Sequence, residues 1–366
     1  MGLTSSDTRY MELAFAVGSR QCGRTWPNPA VGCVLVKNDI IIARGWTARG
    51  GRPHAETRAL ATAGERARGA TAYVTLEPCA HQGRTRPCAQ ALIDAGVARV
   101  VSAMEDPDPR VAGAGHRLLA AAGIAVSTNC LHDRARDVHE GHCTRITTGR
   151  PGVTLKLAMT LDGRVSGKVG TRTAITGPQT QRLCHHLRSQ HDAILVGRGT
   201  IEIDNPQLTV RLAGIEDQPV RIVLDSQLRI AEESALIRTA ASHPVWICHG
   251  ATRIPESAPD GVTHIACRTG SDGRIDLMDG LAVLGQRGMT RIFCEGGPRV
   301  ATSLLKAGLV DRVYIFMAGT VLGSRALAAV GPLPNRPEFT LQSVDCYGND
   351  SVCCWVRGSA ATDATE

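Results

Sequence analysis

The chain has 366 residues, 43% hydrophobic and 20% charged, a composition that excludes a disordered protein and exceeds what one hydrophobic core usually supports. Its net charge of +7 is scattered rather than clustered, and only 12 of its residues are Phe, Trp or Tyr, which argues against a nucleic-acid partner. No apolar run approaches the roughly 18 residues needed to cross a bilayer, so no membrane partner is expected. The first twenty residues carry acidic side chains and no long apolar run, so a secretory leader is not expected either. The thirteen cysteines are therefore read as reduced thiols of a cytoplasmic protein, most of them small buried hydrophobes.

In chain order, residues 7–20 read as a helix, and 30–37 and 40–45 as strands joined by the turn residues Asn38 and Asp39. Residues 54–64 read as a helix, 72–76 as a strand, 88–95 as a helix closed by Gly96, and 97–103 as a strand. The run Thr147-Thr148-Gly149-Arg150-Pro151-Gly152 breaks the pattern. A first domain is accordingly placed over 1–148, a second over 149–360, and a small polar tail, 361–366, is expected to fray. The second domain reads as strands at 153–159, 193–196, 221–224, 245–249, 291–294 and 312–317, with helices at 179–190 and 298–307. Alternating strands and helices predict an α/β fold throughout, with a mostly parallel sheet covered on both faces in the first domain.

The most specific signal is His54-Ala55-Glu56 followed, one strand later, by Glu77-Pro78-Cys79 and then Cys88. One imidazole and two thiolates suit zinc, and three protein ligands instead of four leave a coordination position for water. Zinc brings the pKa of such water to about 7, which supplies a nucleophile near neutral pH and leaves protons to be managed. Glu56, two residues from His54, can face the same cleft without binding the metal, as in zinc deaminases. As hydroxide attacks an amino-bearing ring carbon, Glu56 would relay its proton to the ring nitrogen and then to the departing amine. If Cys79 and Cys88 each begin a helix, the helix N-termini further stabilise both thiolates. His81 is the nearest candidate fourth ligand, but its Gly-Arg-Thr loop suits substrate better.

These residues, with Pro27-Asn28-Pro29-Ala30-Val31-Gly32, the loop His81-Gln82-Gly83-Arg84-Thr85-Arg86-Pro87-Cys88, and Glu105-Asp106-Pro107-Asp108-Pro109 before Val111-Ala112-Gly113, resemble the fused bacterial form of the bifunctional riboflavin-biosynthesis deaminase/reductase family. The likeness covers nearly the whole chain. Eight residues separate Cys79 from Cys88, where other zinc deaminases usually carry Cys-x-x-Cys. The resemblance implies a cytidine-deaminase-like three-layer α/β/α domain followed by a dihydrofolate-reductase-like α/β domain. It implies one zinc ion per chain on His54, Cys79 and Cys88, with Glu56 catalytic. Asn28 would bond the pyrimidine ring, while His81, Arg84 and Asp106 would help to hold the ring and its phosphoribosyl arm. From the residues alone, Asn28 and Asp106 could equally be turn formers.

In the second half, Arg291-Ile292-Phe293-Cys294-Glu295-Gly296-Gly297-Pro298 reads as a strand whose glycines open a helix, either an anion site or a tight turn. It is not the spaced glycine fingerprint of dinucleotide-binding folds. The resemblance also rests on Leu155-Lys156-Leu157-Ala158-Met159-Thr160-Leu161-Asp162-Gly163-Arg164, on Ala193-Ile194-Leu195-Val196-Gly197 through Asp204-Asn205-Pro206, and on Leu208-Thr209-Val210-Arg211. It implies an NADPH site lined by Lys156, Ala158, Ala174, Thr200, Asp204, Ser226, Gly297, Pro298, Arg299, Val300, Ala301, Thr302 and Ser303. Arg172, Arg188, Leu208, Arg211 and Glu295 would hold the reductase substrate, two arginines suiting its phosphate.

Where the family carries Ser-x-Trp-Ile-Thr, this chain has Arg172-Thr173-Ala174-Ile175-Thr176, which alters a substrate contact and the packing around the cofactor. Two functions follow. One is deamination of a small phosphorylated pyrimidine and then reduction of its ribose to ribityl; the alternative is an active deaminase whose reductase-like domain is impaired or only binds nucleotide. A homo-oligomer, dimer or tetramer, is expected. Cys184, His185, His186 and His191 are read as a solvated helix face, not a second metal site, because His186 and His191 are not four residues apart.

Overall fold

The computed structural model describes residues 2–81, 86–171, 173–252, 258–334 and 336–358. Arg84, Arg172 and the tail 361–366 lie outside the described residues. The chain divides into two compact units, Met1–Gly149 with Arg287–Thr290, and Arg150–Gln286 with Arg291–Glu366.

The first unit contains α1 (Ser5–Ser19), β1 (Gly32–Lys37), β2 (Ile40–Trp46), α2 (Ala55–Ala63), β3 (Thr71–Val74), α3 (Cys88–Asp94), β4 (Arg99–Ser102), α4 (Ala114–Ala121), β5 (Ala125–Ser127), α5 (His132–Val138) and α6 (Glu140–Thr148). Its sheet runs β2-β1-β3-β4-β5. The expected mostly parallel sheet is instead mixed, since β1 lies antiparallel to both β2 and β3 while β3, β4 and β5 are parallel. The reason is local. Asn38 and Asp39 both take left-handed backbone angles, φ 51° and 57°, as in the tight turns that close β-hairpins. Tyr10, Met11, Ala14 and Phe15 of α1 join the sheet's Cys33, Leu35, Ala72 and Val100 in one apolar core.

At the amino-terminal edge of this core Asp7 is buried at 1% exposure, yet it is fully engaged. It accepts from Thr4 N, the Tyr73 hydroxyl and both Arg99 terminal nitrogens. Burial alone would raise its carboxyl, but the bonds from Arg99, Thr4 and Tyr73 outweigh that and hold it below 3.8. A carboxyl lowered by folding stabilises the fold above its unfolded pKa, and that contribution is lost as pH falls through the folded value. Asp7→Asn should therefore cost about 2–4 kcal/mol at pH 7, because Arg99 loses its charge partner, and the difference from the parent should shrink on acidification below pH ~4 in denaturant titrations.

The second unit contains β6 (Gly152–Thr160), β7 (Arg164–Ser166), α7 (Pro178–Ser189), β8 (Ala193–Gly197), α8 (Arg198–Asp204), β9 (Val220–Leu224), α9 (Ala235–Arg238), β10 (Val245–His249), β11 (Val262–Ala266), α10 (Leu277–Gln286), β12 (Arg291–Cys294), α11 (Pro298–Lys306), β13 (Arg312–Ala318), β14 (Leu327–Ala328), β15 (Phe339–Tyr347) and β16 (Asp350–Arg357). Its main sheet is ordered β11-β10-β9-β8-β12-β6-β13-β16-β15. The strands from β11 to β13 are parallel, and β16 and β15 close the edge as an antiparallel hairpin. β12 enters between β6 and β8, so the carboxyl ends of these three strands meet where the strand order is interrupted, the usual place for ligands in open α/β sheets.

Helix α7 begins at Gly177 without a side-chain cap of its own. Asp350, at the start of β16, replaces it by accepting from Gly177 N and the Thr180 hydroxyl. The expected solvated face is only partly present. His186 is exposed, but Cys184 and His191 are buried. The helix ends at Ser189, so His191 leaves its face, packs against Phe293 and meets Leu187 O and Thr154 Oγ1. Burial holds its imidazole down at about 3, which makes it a neutral core residue.

Candidate active sites

In the first unit the ligand atoms of His54, Cys79 and Cys88 all lie within 4.8 Å of one another. His54 is the residue just before α2 and turns Nδ1 toward the two sulfurs, 3.7 Å from Cys79 and 3.3 Å from Cys88. Cys88 begins α3, but Cys79 lies outside any helix, which corrects the expectation that each starts a helix. The α3 amino terminus still serves a thiol, because Cys88 N points to Cys79 Sγ at 3.4 Å. The two thiols compete for one proton. A hydrogen bond from Cys88 draws Cys79 down to about 4, and the same bond, with burial, pushes Cys88 up. One imidazole nitrogen and two sulfurs this close form a donor set suited to zinc, with room for a further ligand.

Glu56 sits in the first turn of α2 at 3% exposure. Burial raises its carboxyl to about 7, opposed by His54 and reinforced by Cys79. A carboxyl in that range can both take and release a proton near neutrality. Asn28 approaches the same ring from the other side, its Nδ2 3.4 Å from His54 Nε2 and donating to Gly51 O at 2.8 Å. Gly51 has φ +85°, and a Cβ there would stand 2.8 Å from Asn28 Nδ2, so only glycine leaves Asn28 this position.

His81 is half-buried, with Nδ1 enclosed and without a hydrogen-bond partner among the described residues. Asp106 is buried, and its Oδ1 accepts from Asp108 N and His142 Nε2. Sequence reasoning missed Glu77, whose buried carboxylate accepts four backbone N–H bonds. The available signal was a carboxylate ending the apolar run Tyr73-Val74-Thr75-Leu76, a position that demands partners.

In the second unit Glu295 and Gly197 stand at the carboxyl ends of β12 and β8, and several of the expected residues make contacts around them. Arg188 reaches from α7 to Glu295, just after β12, with Nε 2.5 Å from Oε1 and Nη2 2.9 Å from Oε2, and also donates to Thr209 O. Burial would raise Glu295, but Arg188, with help from Lys156, holds it at about 2. Lys156 Nζ lies 5.3 Å from the centre of the Phe316 ring, and Ala158 packs on the Phe293 and Phe316 cluster. Before α11, a Cβ on Gly297 would lie 3.8 Å from Thr200 Oγ1, and one on Gly197 2.9 Å from Val300, which brings these expected cofactor residues together.

Within the same run Arg299 is exposed, whereas Ala301 is fully buried and supports the helix from its core side. Ser226 Oγ accepts from Ile275 N, and buried Leu208 has φ +52°. Asp204 closes α8, half-buried, and Ala174 and Arg211 are exposed.

The family model for the cytidine and deoxycytidylate deaminase zinc-binding region matches residues 4–104, and that for the RibD C-terminal domain matches residues 151–353. The riboflavin biosynthesis protein RibD of Escherichia coli (strain K12) is 40% identical over 96% of this chain and 100% of its own length. This chain belongs to the RibD family. The RibD protein of Aquifex aeolicus (strain VF5) is 39% identical, over 96% of this chain and 98% of its own. Among solved structures, Acinetobacter baumannii RibD superposes with a TM-score of 0.87 at 34% identity, covering 97% of this chain and 99% of that one. A diaminohydroxyphosphoribosylaminopyrimidine deaminase/5-amino-6-(5-phosphoribosylamino)uracil reductase from Thermotoga maritima does so at 0.85 and 29%, covering 96% and 99%.

RibD membership establishes the expected fold, a cytidine-deaminase-like domain followed by a dihydrofolate-reductase-like one. It makes the chain a bifunctional deaminase/reductase of riboflavin biosynthesis, with zinc and NADPH as cofactors. Among the described residues no helix is long and apolar enough to cross a membrane.

Proposed function

We propose that His54, Cys79 and Cys88 hold the zinc ion and that Glu56 carries the protons in hydrolytic deamination of 2,5-diamino-6-(5-phosphoribosylamino)pyrimidin-4(3H)-one. The reading rests on one observation: three ligand atoms within 4.8 Å of one another, with a buried carboxyl two residues from the imidazole. Bound zinc supplies an activated water, and bound NADPH a hydride. The protein does the rest. Glu56 would take a proton from the attacking water and pass it to the ring nitrogen, then take the proton of the hydroxyl added at the amino-bearing carbon and pass it to the departing amine, while Asn28 and Asp106 orient the ring and His81 and Arg84 take the phosphoribosyl arm.

In the second unit, Arg188, Leu208, Arg211 and Glu295, with Arg172, position the deaminated product so that C1′ of its ribose accepts hydride and becomes ribityl. Lys156, Thr200, Asp204, Ser226 and the first turn of α11 hold the cofactor. The phosphorylated, small-molecule character of this chemistry fits a cytoplasmic enzyme, and we read the assembly as a dimer or tetramer.

A coupled assay with the diaminopyrimidinone and NADPH tests both halves. One NADPH should be oxidised for each ammonia released; ammonia without NADPH oxidation would overturn the reductase half. Ala174 is exposed and stands where the family resemblance implies Trp, so Ala174→Trp should lower KM for NADPH by about threefold to tenfold, the worth of one aromatic contact. An unchanged KM removes this loop from the cofactor site.

A further inference from the structure

Glu77 follows β3 and precedes Pro78 and the ligand Cys79. At 4% exposure its carboxylate is out of reach of solvent and has to be satisfied by the protein. Oε2 accepts from Asp106 N at 3.1 Å and Gly113 N at 2.9 Å; Oε1 accepts from Gly115 N at 2.8 Å and His116 N at 3.3 Å. These four donors come from both ends of the segment that links β4 to α4. Asp106 stands near its start, while Gly113, Gly115 and His116 form the amino-terminal turn of α4, where amides otherwise lack acceptors. A carboxylate from the segment that follows β3 thus caps α4.

The approach is close. A Cβ on Gly115 would fall 1.9 Å from Pro78 O and 3.1 Å from Glu77 Oε1, so α4 rests directly on the backbone that carries Cys79. Further bonds brace the same corner. His116 Nε2 meets Ser102 Oγ at 2.8 Å, and His142 of α6 meets Asp106 Oδ1 at 3.1 Å.

We infer that Glu77 is a positioning residue of the deaminase: one carboxylate fixes the distance between the metal ligand Cys79 and the substrate-facing loop at Asp106. It touches neither metal nor substrate. This rests on the proposed deaminase site. Its action is through the loop, so the loss of Glu77 should weaken capture of the pyrimidine more than the chemistry that follows. Gln is the discriminating replacement, because it keeps the shape but turns one oxygen into an NH2 group, a donor facing two donors. Asp keeps both oxygens on a shorter stem.

The experiment compares wild type, Glu77→Gln and Glu77→Asp in the full chain by bound zinc, ammonia-release kinetics and amide hydrogen exchange. Glu77→Gln should retain its zinc, raise KM for the pyrimidine about tenfold and change kcat by less than about threefold. Exchange should accelerate over 105–116 and remain unchanged in β3. Glu77→Asp should recover part of the KM. An unchanged KM in an active Gln variant overturns the inference, and so does loss of zinc or a collapse of kcat at constant KM. Wild-type protein that releases no ammonia defeats the deaminase reading itself, which separates the two failures.

Discussion

Glu56→Gln should leave zinc bound and reduce ammonia release by about a thousandfold, the range typical of a lost proton shuttle. Gln preserves the volume of a side chain that is 3% exposed, so the fold and the metal ligands should be undisturbed. What disappears is a group that can hold a proton and then give it up. The departing amine needs that proton, and an amide side chain has none to give. Cys88→Ala is the contrasting variant: it removes a ligand, and both zinc and ammonia release should go together. NADPH oxidation with the deaminated pyrimidine supplied should survive in both variants. A fully active Glu56→Gln enzyme would refute the assignment of Glu56.

The second large effect is expected at Arg188 and Glu295. Both side chains are nearly buried, 13% and 11% exposed, so removing one leaves the other as an uncompensated charge. Glu295→Gln should cost the reductase unit about 3–5 kcal/mol, seen as a lower denaturation midpoint, with zinc content unaffected. Because folding holds Glu295 at about 2, its contribution is present above its usual 4.5 and is lost as pH falls through about 2. The double variant Arg188→Met/Glu295→Leu separates stability from function. It should recover most of the stability, since two apolar side chains replace a buried pair at little net cost, but NADPH oxidation should stay lost. Recovery of reduction in that variant would exclude the pair from substrate binding.

The cluster proposed to hold zinc was legible in the sequence because it is compact: a histidine and a carboxylate two residues apart, then two thiols around one loop. Glu77 was not, because its partners are backbone amides 29 to 39 residues away, and backbone donors leave no mark in side-chain identity. Cys79 was expected at a helix start, yet its thiol meets the amide at the start of the next helix. His191 was read as part of a helix face, although the expected helix, 179–190, already stops before it and α7 ends at Ser189.

The β15–β16 hairpin escaped for a different reason. Strand β15 lies at the sheet's edge with Thr340 to Cys346 exposed, so no buried face imposes alternation on its residues. The parallel strands of the second unit were easier to find, since burial on both faces writes them as continuous apolar runs. The short helices α4, α5 and α6 lack long apolar stripes and were passed over.

The capping of α7 by Asp350 has a consequence for biosynthesis. Protein domains fold largely as units while the chain emerges from the ribosome. All but four residues of the deaminase unit lie within the first 149, so it can fold early. The reductase unit must keep the start of α7 waiting through more than 150 further residues, and the outer side of β13 through the shorter stretch that follows it, until Asp350 and β16 arrive. A ribosome stalled shortly before that point would carry a finished deaminase tethered to a reductase still open at its edge.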